Sequence, residues 1–298
     1  MPQSGPFDPE HLAGALGSLG PHARASTELA AAGLVTPDVL CGQAVLLQAR
    51  QPHSASADPA QASPIAGGVW VREQCTIHRP MRADEVFAVT GATVRRYMRR
   101  GRRYDVTVAE TRDHDGALLV ANCTTGLLAY AVEGSLDDSQ EGAGVDAVPV
   151  PVPDPTRSSE NPERPRLTRL VVGDAVACRA VTLELDWMVR RDGRRPMNPI
   201  HSDPEVARRA GLRAPIAGGS HVAAFVLEAL MAAWGPHCLL HGAYLDLRWL
   251  SPTEAGTELR PTAVVERVDA NVEVAIAIDG ADGIRRLQGR ICIPVGEL

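Results

Sequence analysis

The stretch Met197–Trp234, MNPIHSDPEVARRAGLRAPIAGGSHVAAFVLEALMAAW, limits what this chain can fold into more than any other. It ends in the run Ser220–Trp234, where Ser220, His221 and Glu228 are the only strongly polar side chains. A helix apolar nearly all round has to be buried, and this one is too short to span a bilayer. It predicts the core helix of a globular unit, around which other elements wrap. A short helix is marked ahead of it. Ser202 or Asp203 can cap that helix, Pro204 suits its first turn, and Gly211 can end it. His201 therefore stands in a loop one short helix before the start of the core helix, and helix starts present backbone N–H groups that have no carbonyl partner of their own. A titratable base beside an oxyanion-binding turn is the pairing that acyl chemistry requires.

The rest of the chain supplies the wrapping. Residues 1–33 are rich in Pro, Gly and Ala, with a short helix expected around Glu28–Ala32. Thr36–Gln48 predicts a helix that Thr36 caps and Pro37 opens, with Val39, Leu40, Ala44, Leu46 and Leu47 on its apolar side. Residues 51–68 are a loop by composition. Strands are expected over Val69–Ile77, Glu85–Arg95, Arg102–Arg112 and Ala117–Ala131, the last two joined across the hairpin signal Asp113-His114-Asp115-Gly116. Residues 134–166 hold a Val-Pro repeat and few large apolar side chains, the composition of an extended linker. The order then repeats: a strand-like Val171–Glu184, the loop and buried helix, and strands over Ala243–Leu250, Glu258–Val268, Val272–Ile278 and Ile284–Val295.

Bulk properties exclude several classes. With 45% hydrophobic and 22% charged residues the chain is a globular protein, and its net charge of −6 gives nucleic-acid binding no electrostatic support. No apolar run reaches membrane-spanning length. The six cysteines, at positions 41, 75, 123, 178, 238 and 292, form no C-x-x-C pair. That spacing argues against zinc and for buried, reduced thiols in a cytoplasmic protein, as does an N-terminus without the features of a secretion signal.

Asn198-Pro199-Ile200-His201, Asp203, Ala207, Gly211 and Pro215-Ile216-Ala217-Gly218-Gly219 resemble, in order, the signature of the MaoC-like hydratases and dehydratases. These are hotdog-fold enzymes related to R-specific enoyl-CoA hydratases. Arg79–Glu85 and Arg248–Gly256 look like two copies of the family's strand-turn-strand segment. The expected fold is α+β, a tandem double hotdog with an antiparallel sheet wrapped around a central helix in each half. Its parts would be an N-terminal hotdog over residues 1–133, a linker over 134–166 and a C-terminal hotdog over 167–298. Only the C-terminal half carries the signature, so the first half is expected to supply part of an acyl-binding cleft. Two departures stand out. Pro196 occupies the place of the family's catalytic Asp, and Gly218-Gly219 replaces its usual His-Gly pair.

What the resemblance implies is water addition to a 2-enoyl thioester, or elimination from a 3-hydroxyacyl thioester, carried on CoA or a carrier protein. No metal or cofactor beyond the thioester carrier is expected; an acyl carrier protein and a second copy of the chain are candidate partners. His201 is the acid/base, with an imidazole that titrates near neutrality. Asn198 is an orienting group or an ordinary Asn-Pro turn. Gly219, with Gly218 and Ser220, is the expected thioester-oxygen site, while a tight helix–sheet contact would equally demand a glycine at 219. Asp203 is either part of the site or a helix cap. For the absent Asp, Asp192 is the candidate, in the Arg- and Gly-rich loop RRDGRRPM, where it can fold back or lie solvated; Glu184, Asp186 and His221 are weaker substitutes. The arginines of 190–195 suit CoA phosphates or an acidic carrier face. A thioesterase or isomerase on the same fold, and a non-catalytic acyl-binding subunit, are the rival readings.

Overall fold

A computed structural model describes residues 3–42, 69–99, 102–128, 170–192, 198–209 and 211–295. The first half runs through β1 (Gln3–Gly5), α1 (Pro9–Gly17), α2 (Arg24–Ala31) and α3 (Pro37–Leu40) into a meander of β2 (Val69–Ile77), β3 (Phe87–Arg99), β4 (Arg102–Asp113) and β5 (Leu118–Leu128). The second half has two short strands, β6 (Ala175–Val176) and β7 (Val181–Thr182). Helices α4 (Leu185–Asp192), α5 (Pro204–Arg209) and α6 (Gly219–Trp234) follow. A second meander, β8 (Ala243–Trp249), β9 (Glu258–Val268), β10 (Asn271–Gly280) and β11 (Arg285–Pro294), closes the chain.

Both meanders join one antiparallel sheet, ordered β1-β3-β4-β5-β2-β8-β11-β10-β9-β6. The first strand of each meander lies at the centre, so the halves meet along β2 and β8, in register from Arg72 opposite Arg248 to Ile77 opposite Ala243. Arg72 grips Asp246 across this seam with two bonds, Nε–Oδ1 at 2.9 Å and Nη2–Oδ2 at 2.7 Å, and the Gln74 amide donates to the Tyr244 hydroxyl at 2.7 Å. Alternation places the core. Val272, Val274, Ile276 and Ile278 of β10 are buried on one face while the residues between them lie nearer solvent.

The two halves repeat their loop bonding as well as their strand order. In the first, Val35 N–H donates to Met81 at 2.9 Å, Ala83 N–H donates to Gly33 at 2.8 Å, and Leu34 bridges Arg82. In the second, Ala217 N–H donates to Thr253 at 2.8 Å, Ala255 N–H donates to Pro215 at 3.0 Å, and Ile216 bridges Glu254. A helix starts three residues after each bridge, at Pro37 and at Gly219. Pro37 is thus the counterpart of Gly219, and Asp38 of Ser220. This is a double-hotdog fold.

Helix α6 is buried on nearly every side, as its composition demands, because α2 and α3 cover the face turned away from β9, β10 and β2. Its polar residues hold those neighbours. The Glu228 carboxylate accepts from Ala25 N–H at 2.5 Å, Ser26 N–H at 3.0 Å and the Ser26 hydroxyl at 2.6 Å, so it caps α2 from a distance. His221, on the same face two turns earlier, donates Nε2–H to the Ser18 carbonyl at the end of α1 at 2.9 Å.

Several expectations need correction. The N-terminal segment holds two helices; α2 begins at Arg24, ahead of the expected Glu28, and α1 was not foreseen. Thr36 makes no side-chain cap, and Pro37–Leu40 gives way to a turn at Cys41–Gly42; residues 43–48 of the expected helix lie outside the described residues, as do 51–68 and 134–166. Val171–Glu184 is no continuous strand. It touches β9 at two short points, with Val171 and Val172 exposed at the edge of the sheet around Gly173. Leu185–Asp192 is a helix, where a strand end and a loop were expected. Leu185 and Met188 share its inward face, Met188 is buried, and Trp187 packs on Gly20.

Candidate active site

Pro199–His201 forms one turn of 3-10 helix preceded by Asn198. Ile200 is buried and anchors the turn against Ile216. His201 Nδ1 lies 2.7 Å from the Ile216 carbonyl oxygen. A carbonyl only accepts, so Nδ1 carries a proton, and in the neutral ring Nε2 is the basic nitrogen. The same segment that orients the imidazole leads directly into α6. A β-carbon built at Gly218 would stand 4.0 Å from His201 Nε2. The base therefore faces the start of α6, whose N-cap is Gly218 and whose first-turn amides at Gly219 and Ser220 precede any intrahelical carbonyl.

Glycine at 219 has a packing cause. A β-carbon there would approach Trp249 to 2.9 Å and Trp70 to 3.2 Å, and the Trp249 indole N–H donates to the Gly219 carbonyl at 3.0 Å. The two tryptophans come from the central strands of opposite halves and meet edge to face, centroids 5.8 Å apart. Of the two reasons the sequence offers for Gly219, the tight contact is the one this packing supplies.

The remaining residues separate clearly. Asn198 is half-buried, and its Oδ1 has no hydrogen-bond partner among the described residues. Asp203 caps α5, its Oδ1 accepting from Glu205 N–H at 2.8 Å and Val206 N–H at 3.1 Å. Asp192 is the last residue of α4, with a side chain outside the described residues, as is Pro196. Glu184 stands just ahead of α4, Asp186 in its first turn, and both are exposed. His221 is no substitute acid. Burial first, then the charge of Arg191, pushes its imidazole down to about 3, so it stays neutral at any physiological pH.

A partnership that the sequence did not reveal lies beside the site. Arg191 of α4 contacts Asp38 of α3, Nη1 to Oδ2, at 2.5 Å, and Nη2 donates to the Ser220 hydroxyl oxygen at 3.1 Å. No local pattern shows this, since Asp38 and Arg191 lie in different halves. Arg190, one residue earlier, is exposed. Among the described residues no group of side chains could hold a metal ion, and no helix is long and apolar enough to cross a membrane.

Comparison with known proteins agrees with the fold. The family model of the MaoC like domain matches residues 194–279. A solved MaoC-like dehydratase superposes with a TM-score of 0.70 at 18% identity, covering 99% of this chain and 97% of its own. A Mycobacterium tuberculosis protein described as a double hotdog gives 0.62 at 14% identity, covering 98% and 92%. The peroxisomal multifunctional enzyme type 2 of Drosophila melanogaster gives 0.65 at 15% identity, covering 98% of this chain and 48% of that one. None of the curated proteins matches the chain. Residues 194–279 of this chain thus match the MaoC like domain, and the whole chain shares the double-hotdog fold of these solved structures.

Proposed function

We propose that the protein is a hydratase or dehydratase of a 2-enoyl or 3-hydroxyacyl thioester carried on CoA or a carrier protein. The observation that carries this reading is that His201 Nε2 faces Gly218, the N-cap of α6, so closely that a β-carbon built there would stand 4.0 Å from it. In the hydration direction His201 Nε2 takes a proton from water as the water oxygen bonds to the β-carbon. The π electrons move toward the thioester carbonyl, and the Gly219 N–H stabilises the enolate oxygen at the positive end of the helix. The proton held on Nε2 then passes to the α-carbon on the same face, a syn addition that balances without any cofactor. Asn198 lies at the mouth of the His201 turn and orients the attacking water; Asp192 is the carboxylate that takes the place of the absent Asp. The exposed Arg190 would meet the phosphates of CoA or an acidic carrier face. Six free cysteines suit a reducing, cytoplasmic setting.

Pro196 favours one second reading, a non-catalytic acyl-binding subunit, because a proline cannot move a proton. The test follows loss of enoyl-thioester absorbance and release of free thiol in parallel. Hydration lowers the first without the second. Thiol release would identify a thioesterase, and acyl-CoA binding with neither signal would identify the binding subunit.

A further inference from the structure

We propose that Arg191 is a positioning residue of the thioester site, and that Asp38 of the other half serves to hold it there; this rests on the hydratase reading above. A guanidinium beside the start of α6 is a placement that needs an explanation. The N-terminal end of a helix is already positive, so a neighbouring cation is repelled unless an anion compensates it. Asp38 is that anion, 2.5 Å from Nη1, with only 4% of its side chain exposed against 11% for Arg191. The ion pair is buried and desolvated, and its partners come from α3 and α4, elements of opposite halves.

Its second bond gives the pair a use. Arginine only donates, so in the 3.1 Å contact with Nη2 the Ser220 oxygen is the acceptor. The hydroxyl hydrogen must then point elsewhere and remains to be donated. Ser220 follows Gly219 in the first turn of α6, so this hydrogen stands beside the Gly219 N–H as a second donor to an oxygen bound there. Because Asp38 offsets the arginine charge, the pair acts on that oxygen through the hydroxyl it orients. The arginine's field is felt nearby. After burial, Arg191 is the largest cause holding the imidazoles of His221 and His11 below their ordinary value, and Asp38 opposes it at both.

Asp38 and Ser220 are counterparts in the two halves, as the repeated loop bonds establish. Arg191 therefore lies between equivalent positions that have diverged. One supplies a carboxylate to fix the cation, and the other supplies a hydroxyl for the cation to orient.

The experiment measures kcat, KM and thermal stability on crotonyl-CoA for wild type, Ser220→Ala, Arg191→Met, the pair Ser220→Ala/Arg191→Met, Arg191→Lys and the pair Asp38→Asn/Arg191→Met. Arg191→Met and Ser220→Ala should each lower kcat by about tenfold to a hundredfold with KM within about threefold, and combining them should cost little more than either. Arg191→Met leaves a buried carboxylate unpaired and should lose stability. Removing Asp38 as well should restore the stability but not kcat, while Arg191→Lys should recover part of kcat. If kcat returns with stability in the pair, or if folded Arg191→Met keeps wild-type kcat, Arg191 is structural and the inference falls alone. A wild type that leaves crotonyl-CoA and longer enoyl-CoA esters unchanged overturns the hydratase reading and this inference with it.

Discussion

The starts of α3 and α6 occupy equivalent places in the two halves, reached through the same three loop contacts, yet they are built for opposite ends. The second half has Gly219 at the first helical position, with an amide hydrogen to offer, and the first half has Pro37, which has none. Next comes Ser220, a neutral donor, against Asp38, a buried carboxylate that would repel an enolate. A second buried acid of the first half, Glu73, is closed on protein: Asn122 donates to it at 2.7 Å and Thr124 lies within hydrogen-bond reach. A duplicated fold supplies two helix starts, and they differ at their first two positions.

The largest predicted effect is on activity. His201→Ala should reduce kcat/KM for enoyl-thioester hydration by about a hundredfold to ten-thousandfold without loss of folding. Glu73→Gln, in the other half, should stay within about twofold of wild type. Comparable losses in both would break the contrast between the halves.

Next in size is Glu228→Ala. It leaves the Ala25 and Ser26 amides and the Ser26 hydroxyl without their acceptor, which should cost roughly 3 kcal/mol in chemical denaturation. Because Glu228 ties the core helix of one half to α2 of the other, a single unfolding transition should move as a whole. Two separated transitions would show that the halves are less coupled than this packing requires.

Glu73 sharpens the comparison through pH. Burial pushes its carboxyl up to about 8 from 4.5, so the folded protein holds a proton there that the unfolded chain releases. The neutral acid's contribution is full below the ordinary carboxylate range and is lost as pH rises toward 8. Stability relative to Glu73→Gln, which cannot titrate, should therefore fall by a few kcal/mol across that window. A difference that is flat with pH would mean the carboxylate is charged in the core. The smallest effect is that of Asp203→Ala. It should cost about 1 kcal/mol as a lost helix cap and leave kcat near wild type.

Much of this was legible in the chain. Both meanders follow from alternation, and their boundaries mostly hold to within a few residues. Core helix α6 follows from an apolar run that only burial explains, while His201 was singled out by the resemblance of its segment to the MaoC-like signature. The misses share a cause. Helix α4 was hidden because Arg and Gly around Asp192 suggest a loop, while its inward face rests on Met188 and Trp187 packing against α1 and the turn after it. Asp38 and Arg191 became partners only through tertiary contact. The equivalence of Pro37 with Gly219 came from bond register, since the halves share no evident sequence identity. Local pattern encodes elements; the long-range pairs that distinguish the two helix starts are not written locally.

The most direct test of the central claim is mass spectrometry of an enoyl thioester incubated with wild type and with His201→Ala. The account predicts that with wild type the intact thioester gains the mass of one water, and that the gain is nearly abolished in the variant. A thioester that is cleaved, or one hydrated equally well by His201→Ala, would contradict it.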